Sequence, residues 1–125
     1  METCPCGTGK PYDSCCELVH TQLSAAQTAE ALMRARYCAF AKGLIDFLYD
    51  TYHPQVRRYQ QKTAIAQWAA ENKWMQLEII QATAATVEFK AHYLCPSGDV
   101  EIHHEKSTFK KQGDCWYYYD GRLLS

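Results

Sequence analysis

Of the seven cysteines in this 125-residue chain, four crowd into one stretch, CPCGTGKPYDSCC at positions 4–16. Thiolates at such close spacing suit a soft metal ion, and zinc is commonly held by two close pairs that a turn brings together. Cys4 and Cys6 make one pair, and Cys15 and Cys16 make the other. Pro5, Gly7, Gly9 and Pro11 lie between them as turn formers, and the two glycines can take the positive φ that a chain wrapping a metal requires. Both also let backbone N–H groups approach the sulfurs. A dithiol redox motif is C-x-x-C opening a helix beside a strand, which C-x-C with no preceding strand does not match. GTGK lacks the spacing of a Walker A loop, and Pro11 stands where Ser or Thr belongs. Zinc on Cys4, Cys6, Cys15 and Cys16 is therefore the expectation, with another metal or unligated thiols as the alternatives. Four protein ligands leave no position for water, so such a zinc serves folding rather than catalysis.

A second candidate set sits in the later half of the chain. Strand parity puts Glu105 and Ser107 on one face with Phe109, while His104 and Lys106 share the other with Ile102 and Thr108. If Phe109 points into the core, so does Glu105. A buried carboxylate needs donors or a cation, and Arg34, Arg36, Tyr37 and His53 are the candidates to satisfy it. A His and a Glu together can serve as a base and its orienting partner, but no nucleophile stands at a diagnostic spacing. The plainer alternative is a structural ion pair between helix and sheet or a solvated strand face, which leans the chain away from enzymatic function. A second metal site on His103 and His104 is disfavoured because neighbours on a strand point to opposite faces. The run Trp116, Tyr117, Tyr118 and Tyr119 reads mainly as core and cross-strand partners, with a dimer or ligand surface as the alternative. Cys38, Cys95 and Cys115 read as small buried hydrophobes.

The elements that must position these residues follow from periodicity. After a polar linker, AEALMRARYCAFAKG places Met33, Tyr37, Phe40 and Leu44 at helical spacing, with Thr28 as N-cap and Glu30 in the first turn. Gly43 breaks that helix, LIDFLYDTYHP continues as a second one stopped by Pro54, and KTAIAQWAAEN offers Ile65, Trp68 and Ala69 on one face of a third. From Trp74 the period falls to two: Met75, Leu77 and Ile79, then Val87, Phe89, Ala91, Tyr93 and Cys95. PSGD at 96–99 and QGD at 112–114 are turns flanking a strand over 100–110, and CWYYY makes the last strand. Helices first and antiparallel strands after predict an α+β fold in which one face of a curved sheet buries the helices.

Size and charge bound the rest. The chain holds one compact core with a small appendage, read as residues 1–22 and 23–125. Formal charge is −1, and Arg34, Arg36, Arg57, Arg58, Lys110 and Lys111 are interleaved with acids, so no nucleic acid is expected as a partner. No apolar run can span a bilayer, and METCPCGTGK lacks the layout of a signal peptide, so a cytosolic chain is expected, with no membrane partner.

The N-terminal stretch resembles the SEC-C motif, a zinc-binding module of pattern C-x-C-x8-C followed by Cys or His. The match rests on Cys4, Cys6, Cys15 and Cys16, with Pro5, Gly7, Gly9, Lys10 and Tyr12. The resemblance implies zinc on those four cysteines, as in the tail of the preprotein translocase motor, which docks on an acidic chaperone and on ribosomes. Here Asp13 and Ser14 stand where such modules commonly carry lysines. Lys10 alone faces Glu2, Asp13 and Glu17, so this knuckle is acidic and an acidic partner would be repelled. The whole chain is similar to the YchJ-like family, which joins a SEC-C motif to a nuclear-transport-factor-2-like (cystatin-like) domain. EALMRARYCAF (30–40), YHP (52–54), VEFKAHY (87–93), HHEKSTF (103–109) and WYYYDG (116–121) carry that likeness. It implies a cone-shaped sheet around the helices and a cavity that members either fill or use. The leading expectation is a cytosolic zinc protein serving as an interaction or adaptor module for a protein partner, with a homodimer through the sheet as one form. The alternative is a small-ligand binder or enzyme using the cone, with Arg34, Tyr37, His53, Glu105 and Ser107 as its pocket.

Overall fold

A computed structural model describes residues 3–124. Among these residues five α-helices precede four strands: α1 (Cys16–Thr21), α2 (Ala29–Lys42), α3 (Ile45–Asp50), α4 (Pro54–Arg57), α5 (Lys62–Glu71), β1 (Lys73–Ala82), β2 (Thr86–Leu94), β3 (Val100–Gln112) and β4 (Cys115–Leu123). The strands form one antiparallel meander in the order β1-β2-β3-β4. The α+β cone expected from the sequence is the observed fold.

α2 is the central helix, and its ends are set by local chemistry. Thr28 caps it, its Oγ1 accepting from the Ala31 N–H at 3.0 Å. Gly43 closes it at φ 73°, a left-handed conformation suited to glycine, which lets its N–H reach the Ala39 and Phe40 carbonyls. Leu32, Ala35, Tyr37 and Cys38 are all buried, because the N-terminal knuckle lies on one side of α2 and the sheet on another. The sheet meets it with Leu77 from β1, Val87, Phe89 and Ala91 from β2, and Phe109 from β3. Glu88, Lys90, His104 and Lys106 alternate with these residues and pair across the opposite face.

Two expectations fail. The chain from the second cysteine pair is helical, forming α1, which buries Cys16 and Val19. Pro54 begins α4 at its first position, where its missing N–H costs nothing, as well as ending the preceding segment. Between α3 and α4 the chain is zipped to β4: the His53 N–H donates to the Tyr118 carbonyl at 2.7 Å and the Tyr118 N–H to the Thr51 carbonyl at 2.8 Å. Among the described residues no helix is long and apolar enough to cross a membrane.

Candidate functional site

The knuckle is built by two turns and one helix. Cys4 and Cys6 lead into a loop that reverses at Gly7 and Gly9, with φ of 88° and 85°, and returns so that the Cys4 N–H donates to the Lys10 carbonyl at 2.8 Å. Cys15 and Cys16 then open α1. The sulfurs of Cys4, Cys6, Cys15 and Cys16 all lie within 4.8 Å of one another, with Cys6 and Cys15 3.5 Å apart. Sulfurs around a tetrahedral ion with bonds of about 2.3 Å stand about 3.8 Å apart, so the cluster can hold a metal ion. Three of the four are buried and Cys15 is half-exposed. Backbone N–H groups of Cys6 and Cys16 are directed at the Cys4 sulfur and that of Thr8 at the Cys6 sulfur, each favouring a thiolate. The donors are thus Cys6 and Thr8 beside the glycines and Cys16 from α1, while the Gly7 N–H goes to the Cys4 carbonyl. A hydrogen bond from Cys16 holds Cys6 down despite burial, whereas burial pushes Cys4 up to about 12, so metal binding must displace protons.

α2 supplies the knuckle's anchors. Arg34 donates from Nη1 to the Cys6 carbonyl at 2.7 Å and from Nε to Glu30 at 3.0 Å. His20 bridges the Tyr12 hydroxyl at 2.7 Å and the Ala35 carbonyl at 2.8 Å. A carbonyl only accepts, so Nε2 carries the proton and Nδ1 accepts from Tyr12. Burial lowers the His20 pKa in keeping with that neutral form. Cys38 also belongs here: it is fully buried, but its sulfur stands 3.9 Å from that of Cys4, a fifth thiol beside the cluster. Cys95 and Cys115, expected to be buried, are half-exposed, Cys95 just past the end of β2 and Cys115 at the start of β4, each beside a hairpin turn.

Inside the cone lies a cavity of about 190 Å³. Its walls are aromatic, with Tyr37 and Phe40 from α2, Trp68 from α5, Trp74 from β1, Phe89 from β2 and Tyr118 from β4. Two charged side chains face it. Glu105 is buried on β3 and accepts from His103 Nε2 at 2.8 Å, Ser107 at 2.5 Å and the Tyr118 hydroxyl at 2.7 Å. Burial raises its pKa, but these three donors outweigh burial and hold the carboxyl below its ordinary range. Tyr118, pushed up by burial and by the Glu105 charge, stays a proton donor. Gly121 makes room for this pair, since a Cβ there would collide with both the Tyr118 hydroxyl and the Glu105 carboxylate. Arg36 is only 3% exposed and lies over the rings of Tyr52 and Tyr118, 4.5 and 4.8 Å from their centroids.

Of the pocket residues proposed from sequence, Tyr37 and Glu105 line the cavity and Ser107 supports Glu105 from within the sheet. Arg34 is turned to the knuckle. His53 caps α4 through Nδ1, 3.1 Å from the Gln55 nitrogen, and meets the rings of Tyr117 and Tyr119 edge-on, away from the cavity lining. The helices were expected to satisfy Glu105; its donors come instead from β3 and β4, because i, i+2 and cross-strand neighbours share its face. Arg36 was legible as the residue one helical turn from Leu32 and Phe40, on the inward stripe of α2.

Residues 28–121 match the family model described as YchJ, middle NTF2-like domain, and residues 2–18 match the SEC-C motif. A UPF0225 protein of Geobacter sulfurreducens is 41% identical over 94% of this chain and 77% of its own length. A UPF0225 protein of Streptomyces coelicolor is 38% identical over 97% of this chain and 95% of its own. The solution structure of a SEC-C motif containing protein from Rhodopseudomonas palustris superposes with a TM-score of 0.86 at 33% identity, over 99% of this chain and 100% of that one. A crystal structure of another, from Psychrobacter arcticus, gives 0.81 at 32% identity over 100% of this chain and 84% of that one. With both parts matched in order along one chain, this protein belongs to the YchJ-like family, a SEC-C knuckle joined to an NTF2-like domain.

Proposed function

We propose that this protein binds a small organic ligand in its cone, and that its four-cysteine knuckle holds zinc as a structural metal. The observation that carries the first part is the open cavity at Glu105: a scaffold needs no internal space, and packing to interior density would have closed it. Trp68, Trp74 and Tyr37 line that space instead of filling it. Zinc is supported by the donor set, four sulfurs with no carboxylate or imidazole among them, which favours a soft tetrahedral ion in a closed site. Such thiolates hold a metal only while reduced, which suits the cytosol.

Trp68 and Trp74 make the cavity self-reporting. Screening single-ring fragments against the full-length protein by tryptophan fluorescence is expected to give saturable changes. Ala91→Phe, which fills the space from β2, is expected to abolish them while far-UV circular dichroism stays unchanged. Fragments that bind the variant as well as the parent would exclude the cavity as the site.

A further inference from the structure

The proposed ligand cavity carries a more specific chemical signature, in the part of Arg36 that the protein leaves unused. Arg36 Nη1 donates to the Leu48 carbonyl at 2.9 Å and to Thr51 Oγ1 at 2.6 Å. Nε and Nη2 have no protein partner among the described residues. No fully buried side-chain nitrogen or oxygen among those residues lacks a hydrogen bond, so these two nitrogens border open space, and the space Arg36 borders is the cavity. Nε and Nη2 are adjacent on one edge of the guanidinium, the edge that takes a carboxylate through two parallel hydrogen bonds. Among the described residues no ion pair joins Arg36 to Glu105 or to any other carboxylate, so this buried cation has no anion partner there.

At the other polar position, Glu105 Oε2 accepts from both Ser107 and Tyr118, while Oε1 accepts from His103 alone. Oε1 therefore keeps acceptor capacity for a donor within the cavity. Between the two positions the walls are aromatic faces. A cavity of about 150 Å³ holds benzene, and this one, at about 190 Å³, admits a single ring with small substituents.

Resting on the reading of the cone as a ligand site, we infer that its ligand is a small aromatic carboxylate carrying a hydrogen-bond donor on the ring. The carboxylate takes the free edge of Arg36, the ring lies among Tyr37, Phe40 and Trp74, and the ring donor meets Glu105 Oε1.

The experiment uses three probes of one shape and different charge: 4-hydroxybenzoate, 4-hydroxybenzyl alcohol and tyramine. Each is titrated into the zinc-loaded full-length protein, with Trp68 and Trp74 fluorescence and calorimetry as readouts. The acid is expected to bind at least about tenfold tighter than the alcohol, the scale of a charge-assisted pair of hydrogen bonds, and tyramine weakest. Arg36→Lys keeps the cation but not the fork and is expected to lose most of the preference, and Arg36→Met all of it. Because Arg36 also braces Thr51, the comparison of probes on the unaltered protein decides the matter even if neither variant folds. Equal or tighter binding of the alcohol or the amine overturns the carboxylate assignment and leaves the ligand site standing. If none of the three probes, nor any fragment in the wider screen, perturbs the tryptophans, both the assignment and the ligand site fall.

Discussion

At the scale of single residues, Glu105 is the most informative side chain in the molecule. Its parity with Phe109 is visible in the sequence, because a strand alternates strictly and Phe109 has one plausible direction. Its partners were not legible, since two of the three depend on local side-chain rotation and the third on β4 register across a bulge at Thr108/Phe109. The carboxylate is held below its ordinary pKa of 4.5 by those donors. The folded state thus binds fewer protons than the unfolded one, and the stability Glu105 contributes is present above that pH and lost as pH falls through the folded value. Glu105→Gln turns an acceptor into a donor facing donors. It is expected to cost on the order of 2 kcal/mol near pH 7 and to flatten the acid limb of stability, read by urea unfolding between pH 7 and pH 3.

At the scale of elements, the long strands and α2 were readable because caps and periods agree: Thr28, Gly43 and the alternation from Val87 to Tyr93 each act within a few residues. α1 and α4 were missed because CELVHT buries only Cys16 and Val19 and the four residues of α4 bury none, which leaves no apolar period to read. The joint between knuckle and α2 was equally hidden, as it depends on His20 meeting an Ala35 carbonyl fifteen residues away. That joint titrates. The neutral His20 of the folded state has a pKa below its ordinary 6.5, so the unfolded chain binds the extra proton and stability falls as pH drops below about that value. His20→Ala is expected to lower stability at pH 8 by about 1–3 kcal/mol and to remove that part of the pH slope, measured by denaturant unfolding at pH 8, 6 and 5.

At the scale of the whole molecule, knuckle and cone share one core. Cys4, Cys6, Cys16 and Val19 belong to the same buried cluster as Leu32, Val87 and Phe109, so the knuckle is a wall of the domain and not a tethered appendage. The purified protein is expected to carry about one zinc per chain, and Cys15→Ala to lower that content sharply by atomic absorption. Stripping the metal should lower the melting temperature of a single transition seen equally by tryptophan fluorescence and far-UV circular dichroism. Full zinc content in Cys15→Ala would remove the assignment. The four-cysteine cluster was legible from spacing, whereas Cys38 beside it was not, because only the fold brings α2 to the knuckle. Successive residues of that helix address different places: Arg34 and the Ala35 carbonyl hold the knuckle, Arg36 and Tyr37 face the cavity, and Cys38 returns to the thiols. The thiol cluster and the cavity thus lean on neighbouring residues of one helix. Thermodynamic linkage then sets a reciprocity: whatever factor zinc adds to the affinity for ligand, the ligand must add to the affinity for zinc. On the proposed reading of both sites, metal supply would then be registered in how tightly the cone holds its ligand.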